Sequence, residues 1–159
     1  MAKLFFRMLL IAMALCSGLR AQSQTITFEE LAGLQKVEKR PVFILIQTSW
    51  CKYCGSMKHS MFKNPELSAL LKTNFYVILL DAEEKQPINF AGRSFRYEPT
   101  GKNAGVHQLA KELGNVDGQI SYPSVCFLNE KNEIIFQHAG YLNPAALKKV
   151  LISVSKISK

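Results

Sequence analysis

Residues 40–61 constrain this chain more than any other stretch. They read as an apolar run, Pro41-Val42-Phe43-Ile44-Leu45-Ile46, then Gln47-Thr48-Ser49, then Trp50-Cys51-Lys52-Tyr53-Cys54, then a helical pattern. A continuous apolar, partly β-branched run belongs to a strand covered on both faces, so the fold needs a layer on each side of a sheet. Where that strand hands over to the helix stand two cysteines separated by two residues, a placement suited to dithiol chemistry. The first lies at a helix N-terminus, where unpaired backbone N–H groups and the helix dipole favour thiolate over thiol. Lys52 adds a positive charge beside it. The second cysteine follows about one helical turn later, within reach of a mixed disulfide formed by the first.

The elements on either side follow from local signals. Thr27-Phe28-Glu29-Glu30 has the form of a capping box, with Leu31, Leu34 and Val37 at helical spacing behind it. Lys36, Lys39 and Arg40 complement that helix's C-terminal end, and Pro41 stops it. Met57 and Met61 share a face of the helix after the cysteines. Asn64-Pro65-Glu66 breaks and restarts it, with Leu67, Leu70 and Leu71 as the next stripe. Residues 75–80 form a second buried strand. Ile88 and Phe90, then Phe95 and Tyr97, alternate around Ala91-Gly92-Arg93 as a small hairpin. Residues 99–103 make a turn. Val106, Leu109, Ala110 and Leu113 make an amphipathic helix ending at Gly114. Residues 122–128 open on Tyr122-Pro123 as a third strand, and residues 133–138 pair back as a fourth across Asn129-Glu130-Lys131-Asn132. Asn143-Pro144 starts a last helix whose core stripe is Ala146, Leu147, Val150, Leu151 and Val154. The order predicts an α/β fold: a mixed sheet of about four strands between helices, with an inserted hairpin and helix at residues 86–119.

The domain is expected over residues 22–159. Before it, Lys3 and Arg7 precede the apolar run of residues 8–16, and Leu19-Arg20-Ala21 offers a small residue for cleavage. That is the pattern of a secretory signal peptide over residues 1–21, and the run is too short for an ordinary membrane span. An uncleaved N-terminal anchor is the alternative. Leu15 before Cys16 is bulky where lipid-attachment signals want a small residue, which argues against a lipoprotein. Cleavage after Ala21 takes three positive charges from a net +8. The remaining excess has no basic cluster interleaved with aromatics, so nucleic acid is not an expected partner. Cys51, Cys54 and Cys126 remain: one pair and one single thiol, which suits an exported redox protein better than a disulfide-stapled scaffold.

The chain resembles the thioredoxin superfamily, in particular exported bacterial thioredoxin-like proteins such as the C-terminal domain of the thiol:disulfide interchange protein. The residues that carry the resemblance are Trp50-Cys51-Lys52-Tyr53-Cys54 after a buried strand, and Tyr122-Pro123 opening a later hairpin. It implies a thioredoxin-like fold and a thiol–disulfide oxidoreductase acting on protein thiols and disulfides in the periplasm. Reductase or isomerase use is favoured. Under it Cys51 is the nucleophile and Cys54 the resolving thiol, with Trp50, Tyr122 and a cis Pro123 meeting the substrate. No cofactor and no metal is expected. The protein is expected to act as a monomer, with a membrane electron relay as a conceivable partner. Two departures stand out. Leu45 occupies the strand position, six residues before Cys51, where thioredoxins bury an acid, and neither Glu30, Asp81 nor Lys85 can be assigned its task from sequence. The connection from Asp81 to Pro123 is also longer than a short thioredoxin needs, and its extra residues are expected on the surface near the dithiol.

Other readings of the same residues remain open. A structural bridge across two residues closes too small a loop to constrain the unfolded chain much. Zinc would need two more ligands. A copper metallochaperone would use Cys51, Cys54 and His59, and a redox-inactive binding module would use the insertion. Cys126, among Val125, Phe127 and Leu128, reads as core. His59, His107 and His138 show no partner in the sequence. Phe90, Phe95 and Tyr97 are expected to pack the hairpin on the domain.

Overall fold

The computed structural model describes residues 25–102 and 104–157. The expected signal peptide at residues 1–21 lies outside the described residues, as does Asn103 of the predicted turn. The elements run α1 (Phe28–Val37), β1 (Val42–Gln47), α2 (Lys52–Lys63), α3 (Pro65–Asn74), β2 (Tyr76–Asp81), β3 (Ile88–Phe90), β4 (Arg93–Phe95), β5 (Tyr97–Pro99), β6 (Gly105–His107), α4 (Gln108–Gly114), β7 (Asn115–Val116), β8 (Gln119–Ile120), β9 (Ser124–Leu128), β10 (Ile134–Ala139) and α5 (Pro144–Ile157).

The main sheet has the order β10-β9-β1-β2. β1 and β2 are parallel, with Val42 opposite Tyr76 and Gln47 opposite Asp81. β9 runs antiparallel to both β1 and β10. The apolar run of β1 alternates between two cores, as a strand buried on both faces must. Val42, Ile44 and Ile46 face a core shared with Phe28, Leu31, Ile78, Leu109 and Leu113. Phe43 and Leu45 face another, shared with Met57, Met61, Leu71, Phe127 and Leu151. Leu45, at the position expected to carry an acid in a thioredoxin, is fully buried in that apolar layer.

Capping sets the helix ends. Thr27 and Glu30 form the predicted box, each side chain accepting from the other's backbone N–H. Asn64 ends α2 and caps α3, its side chain accepting from the N–H groups of Glu66 and Leu67. The short turns Ala91-Gly92 and Asp117-Gly118 both hold left-handed backbone, with φ of +50° and +76°, and +54° and +82°. That twist suits two-residue hairpins.

The segment between β2 and β9 differs from expectation in two places. Tyr97 does not extend the β3–β4 hairpin, in which Ile88 pairs with Phe95. It pairs with His107 in a separate ribbon, β5–β6. The reason is a close approach at Gly105: a Cβ there would collide with the Tyr97 ring and the Glu98 carbonyl, so only glycine lets these strands meet. Val106 accordingly lies in a strand rather than in the helix. The helix starts two residues later, at Gln108, because the imidazole of His107 acts as its cap, Nδ1 accepting from Leu109 N–H at 3.2 Å. β3 packs on α1 through an edge-on contact of Phe90 with Phe28, ring centroids 5.0 Å apart. The ribbon is pinned to the end of β2, where His107 N–H donates to the Ala82 carbonyl. α4 buries Leu109, Ala110 and Leu113 against the sheet.

Candidate active site

β1 delivers the chain to Thr48, Ser49 and Trp50, and Cys51 then caps α2. Its backbone is extended, with φ −80° and ψ 104°, which turns its side chain over the first helical turn. Cys51 N–H donates to the Thr48 carbonyl and Gly55 N–H to the Cys51 carbonyl. Cys51 and Cys54 are joined by a disulfide, with Cα atoms 5.2 Å apart. Cys51 Sγ accepts from Cys54 N–H at 3.1 Å. A negative charge developing on that sulfur would meet a hydrogen bond already in place and a first turn without acidic residues.

The two sulfurs are not equivalent. Cys54 is 1% exposed and belongs to the core side of α2, whereas Cys51 is partly open to solvent. An approaching sulfur can therefore reach Cys51 but not Cys54.

The expected neighbours converge on this junction. The Tyr122–Pro123 peptide bond is cis, and the Pro123 carbonyl accepts from Gly140 N–H. Ser124 follows directly and pairs with Ile46, near the end of β1 that leads to Cys51. Trp50 is 65% exposed, and its indole Nε1–H donates to Glu83 Oε2 at 3.2 Å. Its ring meets Tyr122 edge-on at 6.0 Å. The Tyr122 hydroxyl is buried without a hydrogen-bond partner. Burial, and then the charges of Glu83 and Asp81, push its pKa up. The Thr48 hydroxyl is also buried and unpartnered.

Two aromatic residues here were not singled out from sequence. Tyr53, inside the motif, is 68% exposed and stands 6.0 Å from the ring of Tyr141 in the β10–α5 connection. Gly140, with φ +100°, turns the chain just before Tyr141. Tyr53 could have been noticed by its place between the cysteines; no local signal joins it to Tyr141. Glu83 likewise shows its bond to Trp50 only in three dimensions.

Other sequence candidates lie elsewhere or are already engaged. Glu30 caps α1, the Asp81 carboxylate accepts from Glu83 N–H, and Lys85 Nζ sits 3.2 Å from the centre of the Tyr97 ring. None of these is buried behind the cysteines in the manner of the missing acid. His59 is exposed on α2, and no group of three or more His, Cys, Asp and Glu among the described residues is arranged to hold a metal ion. Cys126 is fully buried in the core, and burial pushes its thiol pKa up to about 12.

Comparisons agree with this architecture. A family model described as a thioredoxin-like domain matches residues 28–155. Among solved structures, a thioredoxin from Thermus thermophilus superposes with a TM-score of 0.57 at 21% identity, over 83% of this chain and 86% of that one. A disulphide isomerase from Xylella fastidiosa Temecula1 gives a TM-score of 0.54 at 14% identity, over 88% and 99%. Among curated sequences, spermatogenesis-associated protein 20 of Mus musculus is 33% identical over 61 residues. That match covers 38% of this chain and 8% of the mouse protein.

Proposed function

The chain belongs to the thioredoxin-like domain family, and we propose that it is a thiol–disulfide oxidoreductase that works outside the cytoplasm in the reducing or isomerising direction. The accessible Cys51 sulfur over the N-terminus of α2, with Cys54 buried behind it, carries the reading of roles. In the reduced pair the Cys51 thiolate attacks one sulfur of a substrate disulfide. A Cys51–substrate disulfide forms and the other substrate sulfur leaves as thiolate. Cys54, losing its proton to water, attacks the Cys51 sulfur and releases the second substrate thiolate. Two electrons have then passed from the pair to the substrate, and the Cys51–Cys54 bond is restored. An isomerase releases the substrate by a second substrate thiol instead. Trp50 and the half-buried Tyr122 would form the wall along which a substrate segment lies, next to the turn made by the buried cis Pro123.

The leader-like residues 1–21 support export to the periplasm, and no helix among the described residues is long and apolar enough to cross a membrane. A relay in the membrane would supply the electrons. The likeness to a disulphide isomerase is compatible with the proposed direction.

Insulin reduction with dithiothreitol as donor tests the assignment. Wild type should accelerate precipitation, Cys51→Ser should not, and Cys54→Ser should accumulate a mixed disulfide with substrate. Wild-type activity no higher than that of Cys51→Ser would refute it. The reduction potential tests direction: a value near about −270 mV favours a reductant and one near about −120 mV an oxidant.

A further inference from the structure

The six large hydrophobic side chains exposed among the described residues fall into two groups. Trp50, Tyr53 and Tyr141 surround the dithiol. Val37, Ile134 and Ile157 lie at the other end of the molecule, as the topology shows. β1 runs toward the dithiol, so Val37, just before it, is at the far end. Ile134 pairs with Leu128, which pairs with Val42, the first residue of β1. α5 begins beside Tyr141 and ends at Ile157, about 20 Å away for a helix of 14 residues.

At that far end the C-termini of α1, α3 and α5 meet the β9–β10 turn. Gln35 bonds Asn132 at 3.1 Å, Arg40 bonds the Lys72 carbonyl at 3.1 Å, and a shallow hollow is lined by Glu38, Arg40, Asn74, Glu130 and Ser155. The cations there are Lys36, Lys39, Arg40, Lys72, Lys131 and Lys156, against three acids: Glu38, which Arg40 binds at 2.6 Å, Glu130, and Glu133, which accepts from Asn129. Val37 is 88% and Ile157 75% exposed among these lysines.

We propose that this pole docks onto an anionic membrane surface, with Val37 and Ile157 entering the headgroup region and the lysines meeting lipid phosphates. The composition favours lipid over a protein partner. Protein interfaces are enriched in aromatics and depleted in lysine, and this pole has exposed lysines and aliphatics but no exposed aromatic among the described residues. Lysines near an anionic bilayer each add to attraction without requiring a fixed partner geometry. Exposed aliphatic tips among cations fit an interface in which an apolar layer lies beneath a charged one. Docked this way, the dithiol points away from the bilayer, free to meet substrates.

Vesicle co-sedimentation tests the proposal on the chain from Gln22 onward, since both cores lie within residues 28–154. Vesicles of phosphatidylcholine alone are compared with equal parts of phosphatidylcholine and phosphatidylglycerol. Binding is expected to the mixed vesicles only. Lys36→Glu, Lys39→Glu and Lys156→Glu together should weaken it on the order of 100-fold, and Val37→Ser with Ile157→Ser about tenfold. Insulin reduction in solution should be unchanged in both variants. No binding to mixed vesicles, equal binding to neutral ones, or indifference to charge reversal would overturn the proposal. Polyglutamate that displaces vesicles while Val37→Ser with Ile157→Ser has no effect would place an acidic protein there instead.

Discussion

The dithiol pole and the pole opposite it both expose apolar side chains, but they hold them differently. At the dithiol pole the aromatics are tethered: Trp50 by the Glu83 carboxylate and the Tyr122 ring, Tyr53 by the Tyr141 ring. Large two-torsion side chains held this way lose little entropy when a substrate arrives, which suits docking of a specific segment. At the far pole Val37 and Ile157 stand exposed among lysines, an arrangement suited to a surface without fixed geometry. Exposed area alone does not separate these uses; the chemistry around the exposed group does.

The comparison can be broken most sharply at Cys51. Cys51→Ser should reduce insulin turnover to background, while urea unfolding of the reduced proteins stays within about 0.5 kcal/mol, because the residue is partly exposed and outside both cores. Phe127→Ala should do the reverse. Its ring is fully buried against Phe43, Phe75 and Phe136, at centroid separations of 5.1, 5.5 and 5.8 Å. A loss of about 3–5 kcal/mol in urea unfolding is expected, and it would disturb both poles at once.

A smaller effect should separate binding from chemistry. Tyr53→Ala with Tyr141→Ala removes one tethered pair and should raise KM for a disulfide peptide about threefold to tenfold with kcat nearly constant. Equal falls in kcat and kcat/KM would instead show that the pair positions the sulfurs.

Acid should loosen the edge of the sheet beside the dithiol through His107. Its imidazole is buried with Nε2 left without a hydrogen-bond partner, and desolvation lowers its pKa, outweighing the opposing pull of the nearby Gln86 and Phe95 backbone and the charge of Glu84. With the folded pKa below the unfolded value, the unfolded chain binds the proton first. Stability is therefore unaffected well above about pH 6.5 and falls below it, by at most about 1.4 kcal/mol per pH unit from this group. Urea midpoints from pH 8 to 5 should show that slope, and His107→Asn, which keeps an acceptor at the cap, should flatten it. An unchanged slope in the variant would assign the effect to another group. At the far pole, Val37→Ser should change stability by no more than about 0.5 kcal/mol and leave insulin reduction intact.

Much of the dithiol pole is local, and so could be read in the chain. Strand, turn, cap and helix all fall within residues 42–63, and Cys51 reaches the N-terminus of α2 whatever surrounds it. Thr27 with Glu30 and Asn64 with Glu66 act over two or three residues and are equally visible. The pairing of Tyr97 with His107 was hidden, because alternation marks a strand but does not name its partner. His107 offered no sequence signal for burial, since its cap on α4 and its bond to Ala82 depend on where the ribbon is pinned.

The amino-acid order alone determined the strands of the main sheet, the starts of α1, α3 and α5 and the position of two cysteines at a strand-to-helix junction, because caps, alternation and apolar runs act between near neighbours. Only the folded chain decided which sulfur is reachable, that Glu83 holds Trp50, that Tyr141 faces Tyr53, and that Val37 and Ile157 share one basic pole. Those relations join residues far apart in sequence, and they exist only once packing brings the elements together.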